Sequence, residues 1–131
     1  MKRILVDMSL TILHHGHIRL LRHAQQFGNV IVALTTDDEV ESKKGYVPEL
    51  DFDSRKEILE SIRYVTEVIP SPWLITEDFL DQHDIDFLVH GDDNRNPISP
   101  DRLIIFPRLP NISSSIIRQR ANVNLHHQIA A

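Results

Sequence analysis

Short apolar runs alternate with longer amphipathic stretches along the chain. The runs are rich in β-branched residues and are bounded by glycine, proline or charged residues, which is typical of buried strands. They predict five strands, at residues 4–6, 29–34, 64–69, 87–89 and 103–106. Pro70 and Pro72 are expected to end the third strand, because proline cannot donate to a ladder.

Helical periodicity fills the intervals between the strands. Apolar side chains recur on one face of residues 15–27, and Gly28 supplies a C-terminal stop. A second helix is predicted at 37–44, and a third runs from a cap at Asp53 or Ser54 to about residue 62. A fourth helix is predicted from a cap at Thr76 to about residue 83, and a fifth from residue 113 to about residue 121. The tail at 122–131 is polar and is expected to be disordered.

The alternation of strands and helices predicts a single α/β domain over residues 1–121. Its architecture is a doubly wound, Rossmann-like parallel sheet of five strands with helices on both faces. Such sheets bind ligands beyond the carboxyl ends of their strands, where the strand order reverses. The loops that follow the strands are therefore the expected place for chemistry.

Composition narrows the class of protein. The chain has 131 residues, 41% of them apolar, and a net charge of −5, which argues against a general nucleic-acid binder. The absence of cysteine excludes disulfides and thiolate metal sites. No apolar run approaches the roughly 18 residues of a membrane span, and Asp7 ends the first run too early for a signal peptide. We therefore expect a cytoplasmic protein without membrane attachment.

The loop after the first strand ends in His14-His15-Gly16-His17 and leads directly into a helix. Free N–H groups at a helix N-terminus favour phosphate, and Gly16 lets a ligand approach the backbone closely. His14 and His17 are three residues apart, so both imidazoles lie on one side of the first turn and can neutralise charge at a phosphorus centre. A zinc site is disfavoured because no carboxylate–histidine motif accompanies the cluster, and a merely polar helix start is the plain alternative.

Three further features can bind anions. Ser113 and Ser114 stand at a predicted helix start, where they either cap the helix or hold phosphate. Lys43 and Lys44 follow the second strand, and their plain alternative is a solvated charged loop. Arg55 begins a helix, which is unfavourable against the helix dipole unless an anion is bound beside it.

Four motifs occur in a fixed order along the chain. They are the HxGH string at 14–17, the segment Arg63-Tyr64-Val65-Thr66-Glu67-Val68-Ile69-Pro70, the string His90-Gly91-Asp92-Asp93, and Arg108 followed by Ile112-Ser113-Ser114-Ser115. Together they resemble the cytidylyltransferase family of HxGH nucleotidyltransferases, and most of all its glycerol-3-phosphate cytidylyltransferase branch. The resemblance covers roughly residues 2–120.

This resemblance implies transfer of CMP from CTP to a phosphorylated or phosphonate small molecule, with release of pyrophosphate. It implies a catalytic set of His14, His17, Lys44 and Arg108, and acceptor binding by Lys43 and Arg55. The implied nucleotide-binding residues are Ser9, Leu10, Gly16, Arg63, Gly91, Asp92, Asp93, Ile112, Ser113, Ser114 and Ser115. It also implies a homodimer, and Mg²⁺ carried by the triphosphate rather than by a metal site of the protein.

The chain departs from the family pattern at two places. Met8-Ser9-Leu10-Thr11 stands where the family has Gly-Thr-Phe-Asp, and Leu109-Pro110-Asn111 replaces Thr-Glu-Gly in the last motif. Because these changes affect the nucleotide side of the site, two alternatives stay open: an adenylyltransferase that uses ATP, and a non-catalytic nucleotide-binding protein. The sequence does not identify the acceptor.

Overall fold

The computed structural model describes residues 1–107, 110 and 112–130, and the side chains as far as residue 128. Five strands form one sheet in the order β3-β2-β1-β4-β5, and all neighbouring strands are parallel. They are β1 (Arg3–Met8), β2 (Asn29–Thr35), β3 (Glu67–Ser71), β4 (Phe87–His90) and β5 (Leu103–Ile105). The predicted doubly wound sheet is confirmed, and its strand order reverses between β1 and β4.

Five α-helices connect or follow these strands. They are α1 (His15–Gln25), α2 (Asp37–Lys44), α3 (Phe52–Glu60), α4 (Glu77–Gln82) and α5 (Ser114–Ala130), and a short 3₁₀ turn (Pro100–Arg102) precedes β5. In the part of the chain that the structure describes, no helix is long and apolar enough to cross a bilayer.

The core has two layers, one on each face of the sheet. Ile4 and Val6 of β1 point to one face, where Leu21 of α1 and Leu59 of α3 cover them, and all four side chains are fully buried. Leu5, between the two β1 residues, points to the other face and packs in the cluster that contains Phe79 and Leu80 of α4. Successive side chains of β1 point to opposite faces of the sheet, and helices cover both faces, as predicted.

Several element boundaries differ from the predicted ones, and β3, for example, begins at Glu67 rather than at residue 64. Pro70 lies within β3 and does not end it, because β3 is an edge strand and proline is tolerated where one side of the ladder is open. The cap of α3 is Asp51, whose carboxylate accepts the N–H of Ser54 at 2.8 Å, and not Asp53 or Ser54.

The chain from Asn122, which was expected to be a disordered tail, is helical as far as Ala130. Residues 114–130 contain neither Gly nor Pro, so nothing in the backbone stops the helix at Ala121. The side chains of Val123 and Leu125 are exposed, so this part of α5 packs against nothing that would require an apolar stripe in its sequence.

Candidate active site

A cavity of about 320 Å³ opens at the carboxyl ends of β1 and β4, where the strand order reverses. Doubly wound sheets bind their ligands at this place. The cavity is bounded by the ends of β1 and β4, the first turn of α1, the last turn of α2 and the start of α5. Its walls comprise Asp7, Met8, Ser9, His14, Gly16, His17, Leu20, Lys44, His90, Gly91, Asp93, Phe106, Pro107, Ile112, Ser113, Ser114 and Ser115.

The two outer histidines of the HxGH motif form the cap of α1. Nδ1 of His14 accepts the N–H of Gly16 at 3.0 Å, and Nδ1 of His17 accepts the N–H of His14 at 3.1 Å. A neutral imidazole that accepts at Nδ1 carries its proton on Nε2. Both rings, whose centroids are 3.9 Å apart, therefore carry an Nε2–H donor in a cavity at a helix N-terminus.

The histidine pair is uncharged at neutral pH. Burial, and then the neighbouring His14 ring, lower the pKa of His17 to about 3. Burial and the charge of His15 also lower the pKa of His14. The pair can therefore donate oriented hydrogen bonds to phosphate oxygens, which is one of the two roles considered for it, whereas the lowered pKa values work against the other role, direct neutralisation of charge.

Gly16 has a steric reason to be glycine. A Cβ atom built at Gly16 would lie 2.8 Å from Cε1 of His14 and 2.9 Å from its Nδ1. Any side chain at this position would therefore displace the His14 ring, which could then no longer accept the hydrogen bond from the Gly16 backbone. Glycine at this position leaves room for the His14 ring to pack directly against the backbone of the first turn of α1.

The serine segment forms the opposite wall of the cavity. Oγ of Ser113 accepts the N–H of Ile116 at 3.1 Å, so Ser113 caps α5. Ser114 donates from its hydroxyl to the carbonyl of Ile12 at 3.1 Å, which ties α5 to the loop after β1. The predicted capping role of the serine segment is thus present for Ser113, and Ser113, Ser114 and Ser115 line the same cavity as the HxGH histidines.

The two lysines at the end of α2 serve different cavities. Lys44 lines the histidine cavity, and its Nζ lies 5.8 Å from the ring centroid of Trp73. Lys43 lines a second, open cavity of about 690 Å³ together with Trp73 and Arg95. This second cavity thus carries two cationic side chains, and Asp7 and Asp93 bring two carboxylates to it.

A wall shared by both cavities carries Asp7 and His90; the sequence analysis quoted His90 only as part of the His90-Gly91-Asp92-Asp93 string and gave neither residue a role. Nε2 of His90 lies 3.4 Å from Oδ1 of Asp7, and its Nδ1 lies 3.6 Å from Oδ1 of Asp93. Burial alone would lower the pKa of His90, but the hydrogen bond and charge of Asp7, the Gly91 carbonyl and Asp93 outweigh it and raise that pKa to about 9. The sequence feature that could have indicated a site role for His90 is its position at a predicted strand end, directly before Gly91-Asp92-Asp93.

The structure places Arg55 away from both cavities. Its side chain is completely buried and donates to the carbonyls of Leu50, Ser9 and Thr35, and to Oδ1 of Asp37 at 2.6 Å. Arg55 was expected to hold the acceptor anion. Asp37 takes the place of that anion, which explains how an arginine is tolerated at the start of α3, and the guanidinium braces the loop after β1 instead.

Three other predicted residues lie outside the cavity walls. Leu10 is 2% exposed and packs in the core, with the backbone in the left-handed region at φ 50°. Arg63 lies at the amino end of β3, on the opposite edge of the sheet, and donates to the hydroxyl of Tyr64 at 3.0 Å. Asp92 is exposed on the turn after β4. Arg108 falls outside the described residues.

The remaining predicted nucleotide contacts are brought together around the histidine pair. Of the residues expected to bind nucleotide, the cavity walls contain Ser9, Gly16, Gly91, Asp93, Ile112, Ser113, Ser114 and Ser115. The same cavity is also lined by the apolar residues Leu20, Phe106 and Pro107. Apolar surface beside anion-binding donors is what a nucleotide requires, since its base is flat and its phosphates are charged.

This fold and site define a nucleotidyltransferase-type protein, and comparison with known proteins gives the family. Residues 11–120 match the cytidylyltransferase-like family model, so the chain belongs to that family.

Among individual relatives, the chain is 44% identical over 97 residues to glycerol-3-phosphate cytidylyltransferase of Staphylococcus aureus, covering 71% of each chain. It is 35% identical over 124 residues to the Bacillus subtilis protein of the same name, covering 91% of this chain and 96% of that one. The ethanolamine-phosphate cytidylyltransferase of Mus musculus is 37% identical over 93 residues, which are 70% of this chain and 23% of the mouse protein.

A solved structure supports the fold alone. The lipopolysaccharide core biosynthesis protein of Thermoplasma volcanium superposes with a TM-score of 0.71 at 18% sequence identity. The superposition covers 83% of this chain and 98% of the other.

Proposed function

We propose that this protein transfers CMP from CTP to a phosphorylated small molecule and releases pyrophosphate. The observation that carries the proposal is the pair of Nε2–H donors, on His14 and His17, in the cavity at the start of α1. Membership of the cytidylyltransferase-like family and relatives named for CMP transfer to phosphorylated acceptors support it. Glycerol 3-phosphate is the first acceptor to test, because both bacterial relatives carry its name.

The reaction needs positioning and charge stabilisation more than covalent help from the protein. A phosphate oxygen of the acceptor attacks the α-phosphorus in line, and a new P–O bond forms. The bond from the α-phosphorus to the bridging oxygen breaks, and pyrophosphate leaves with the electron pair. An acceptor phosphate is already an anion, so the step requires no general base.

The cavity walls supply the groups for this step. His14 and His17 donate to the α- and β-phosphate oxygens as negative charge grows there, and Lys44 balances the charge of the leaving pyrophosphate. The start of α5 offers backbone N–H groups from the serine segment. Arg108 remains a predicted phosphate ligand.

The acceptor enters, in this proposal, through the second cavity. Lys43 and Arg95 line it, and it shares Asp7, Ser9 and His90 with the nucleotide cavity. An acceptor phosphate bound between the two cations therefore points toward the place where the α-phosphorus of CTP would lie. Lys43 keeps its predicted acceptor role, whereas Arg55 is left out because its donors are occupied by the protein itself.

Magnesium is proposed to enter with the triphosphate, held by phosphate oxygens and water. Among the described residues, no group of three or more histidine or carboxylate side chains has the geometry of a metal site. No step above depends on a protein residue that holds the ion.

The homodimer and the cytoplasmic location also belong to this proposal. The exposed Arg63 forms a cation–π pair with the partly buried Tyr64 before β3, and neither residue lines the cavity, so a contact between two copies is a reason for an arginine motif there. Sedimentation of the protein and of an Arg63→Glu variant tests the dimer. A cytoplasmic protein has direct access to CTP.

A pyrophosphate-release screen tests the main proposal. CTP and ATP are each combined with glycerol 3-phosphate, phosphoethanolamine, phosphocholine and a phosphonate, and product is detected as CDP- or ADP-linked acceptor. Release with CTP and one acceptor supports the proposal. Release with ATP alone would favour the adenylyltransferase.

Thermal shift separates binding from catalysis in the same samples. A ligand present at a hundred times its dissociation constant adds about 2.7 kcal/mol to the free energy of unfolding. Stabilisation by CTP without turnover on any acceptor would favour the non-catalytic nucleotide-binding protein, for which the loss of the family Gly and Asp near Met8 and Thr11 is the argument.

A further inference from the structure

Three aromatic rings pack together beside the nucleotide cavity, the cavity of about 320 Å³ that the HxGH histidines line. The ring of His23, in the last turn of α1, stacks on the ring of Phe106, with centroids 4.1 Å apart and planes inclined by 18°. Phe27, just beyond α1, meets the same imidazole edge to face at 5.3 Å. Of these three side chains, only Phe106 lines the nucleotide cavity. His23 therefore supports one ring of the cavity wall from outside the cavity.

The position of Phe106 is fixed by its main chain as well as by this stack. Phe106 directly follows β5, and its N–H donates to the carbonyl of His90 at 2.9 Å, which continues the pairing of β5 with β4. Since His23 covers one face of the Phe106 ring, the surface that lines the cavity is the other face or an edge. The cavity thus contains a rigid aromatic surface.

The cavity wall changes in character along α1. The Nε2–H donors of His14 and His17 lie at its first turn, Leu20 lines the cavity one turn farther on, and His23 follows after another turn with Phe106 stacked on it. At a rise of 1.5 Å per residue, His23 lies about 9 Å along the helix axis from His17. The wall therefore passes from phosphate-binding donors to an aliphatic side chain and then to an aromatic ring. The phosphates, sugar and base of a nucleotide follow one another in the same order.

Phe106 differs chemically from the other apolar groups around it. Among the described residues that line the nucleotide cavity, it is the only phenylalanine, tyrosine or tryptophan. Trp73 lines the second, acceptor cavity instead. A nucleobase has a flat π face, which aromatic side chains contact by stacking or edge to face. Phe106 is thus the group of this wall that is best suited to a base.

We propose that the ring of Phe106 contacts the base of the bound nucleotide, and that His23 is the positioning residue that holds this ring in place. The inference rests on the proposed function, because it takes CTP as the occupant of the nucleotide cavity. Phe106 carries no group that stabilises charge on phosphate, so it contributes to affinity and not to the transfer step. Stacking accepts any base, and this contact by itself does not distinguish cytosine from adenine.

The first experiment compares CTP with inorganic tripolyphosphate, which has the phosphates but no base. Titration calorimetry gives the dissociation constant of each ligand for the wild type and for Phe106→Leu, which keeps an apolar side chain but removes the ring. We expect Phe106→Leu to weaken CTP binding about 10-fold and to change tripolyphosphate binding less than about 2-fold. Phe27→Leu is the matched control, because Phe27 contacts His23 without lining the cavity, and it should bind both ligands as the wild type does.

Steady-state kinetics separate base binding from chemistry. In Phe106→Leu the KM for CTP should rise about 10-fold while kcat changes little, the signature of an interaction made equally in the ground state and the transition state. The acceptor KM should also change little, because Phe106 lines the nucleotide cavity and not the acceptor cavity. Phe106→Tyr keeps the ring and should retain the CTP affinity of the wild type.

The role of His23 is tested by removing and then replacing its ring. His23→Ala should weaken CTP binding about 3-fold, the scale of one lost aromatic pair, and His23→Phe should restore it. In the Phe106→Leu background, His23→Ala should add almost nothing, because the two residues act through one contact and their effects are not additive. A merely structural His23 would instead lower CTP affinity equally in both backgrounds, and His23→Phe would then not need to restore it.

The outcomes distinguish this inference from the proposed function. Unchanged CTP affinity in Phe106→Leu, or an equal loss for CTP and tripolyphosphate, overturns the inference alone. A wild type that binds CTP but turns over no acceptor overturns the proposed function, and the binding comparison still decides the inference. A wild type without affinity for CTP overturns both. Should Phe106→Leu fail to fold, NMR of the unmodified protein with CTP decides, and the absence of nuclear Overhauser contacts between cytosine H5 or H6 and the Phe106 ring overturns the inference.

Discussion

The backbone N–H of His14 donates to Nδ1 of His17 across 3.1 Å, so the two histidines are hydrogen-bonded to each other through the main chain as well as lying on one face. Together with the Gly16 contact, they form a reciprocal cap in which imidazoles take the places usually held by a hydroxyl and a carboxylate. The cap and the chemistry depend on the same two rings. Any change to one ring therefore affects both the start of α1 and the donors in the cavity.

Replacement of His17 by alanine is expected to lower the rate of pyrophosphate release by at least about 100-fold. The reason is the loss of one oriented donor to the charge that develops at the phosphates. Steady-state rates with CTP and the acceptor identified in the screen measure it. The fifth helix provides the control, since His127→Ala removes an exposed imidazole. A His17→Ala protein with normal secondary structure and a near-normal rate would contradict the assignment.

Gly16→Ala tests whether the narrow first turn of α1 matters for activity. The added methyl group would lie within 3.0 Å of the His14 ring and displace it. We expect a loss of about 100-fold in kcat/KM, because misplacement of a catalytic group by about 1 Å has effects of this size. Gly45→Asn is the matched control: Gly45 has φ 81° and open space around it, and Asn tolerates this backbone region. Equal effects of the two substitutions would remove the steric explanation.

The architecture could be predicted from the sequence because strands and helices of an α/β fold each have a hydrophobic periodicity that is visible over a few residues. The five apolar runs and the intervening amphipathic stretches can each be read over a few residues, and the parallel order follows from their alternation. Thr76 was correctly identified as the cap of α4, since its hydroxyl accepts the N–H of Phe79. The extension of α5 was missed because an exposed helix carries no apolar stripe.

The HxGH part of the site could be predicted from spacing alone, because His14, Gly16 and His17 lie within one turn. The surroundings of Arg55 could not be predicted, because Asp37 and the carbonyls of Ser9 and Thr35 come from segments that no local pattern connects to it. Asp7 and His90 were missed for the same reason: they are 83 residues apart and meet only because β1 and β4 are neighbours in the sheet.

Arg55→Ala is expected to lower the free energy of unfolding by about 2–4 kcal/mol, because each buried carbonyl that loses its donor costs about 1–3 kcal/mol, whereas Asp37, which is 39% exposed, can be hydrated. The guanidinium is fully buried, and its removal leaves the carbonyls of Leu50 and Thr35 without their donors. Urea denaturation measures the change. Lys56→Ala, one position along the same helix and only partly buried, is the control and should stay within about 1 kcal/mol of the wild type.

The acceptor KM of the Arg55 variant distinguishes a structural from a binding role. The KM is measured with CTP bound, under conditions where the variant is folded. The acceptor KM of Arg55→Ala should change much less than that of Lys43→Ala, because Lys43 lines the acceptor cavity and Arg55 does not. A stable Arg55→Ala protein whose acceptor KM rises strongly would restore the original expectation that this arginine binds the acceptor.

The stability of the protein should fall on the alkaline side because of the Asp7–His90 pair. The pKa of His90 is about 9 in the folded protein, above the value of 6.5 for an unperturbed histidine, so the folded state binds the proton more tightly. The stabilisation is fully present below pH 6.5 and is lost progressively as the pH rises from 6.5 through about 9. In Asp7→Asn the folded pKa loses its main support, so the slope of unfolding free energy against pH over this range should become smaller. Urea midpoints measured at several pH values test this, and parallel curves for wild type and Asp7→Asn would show that the Asp7 carboxylate does not hold the charge on His90.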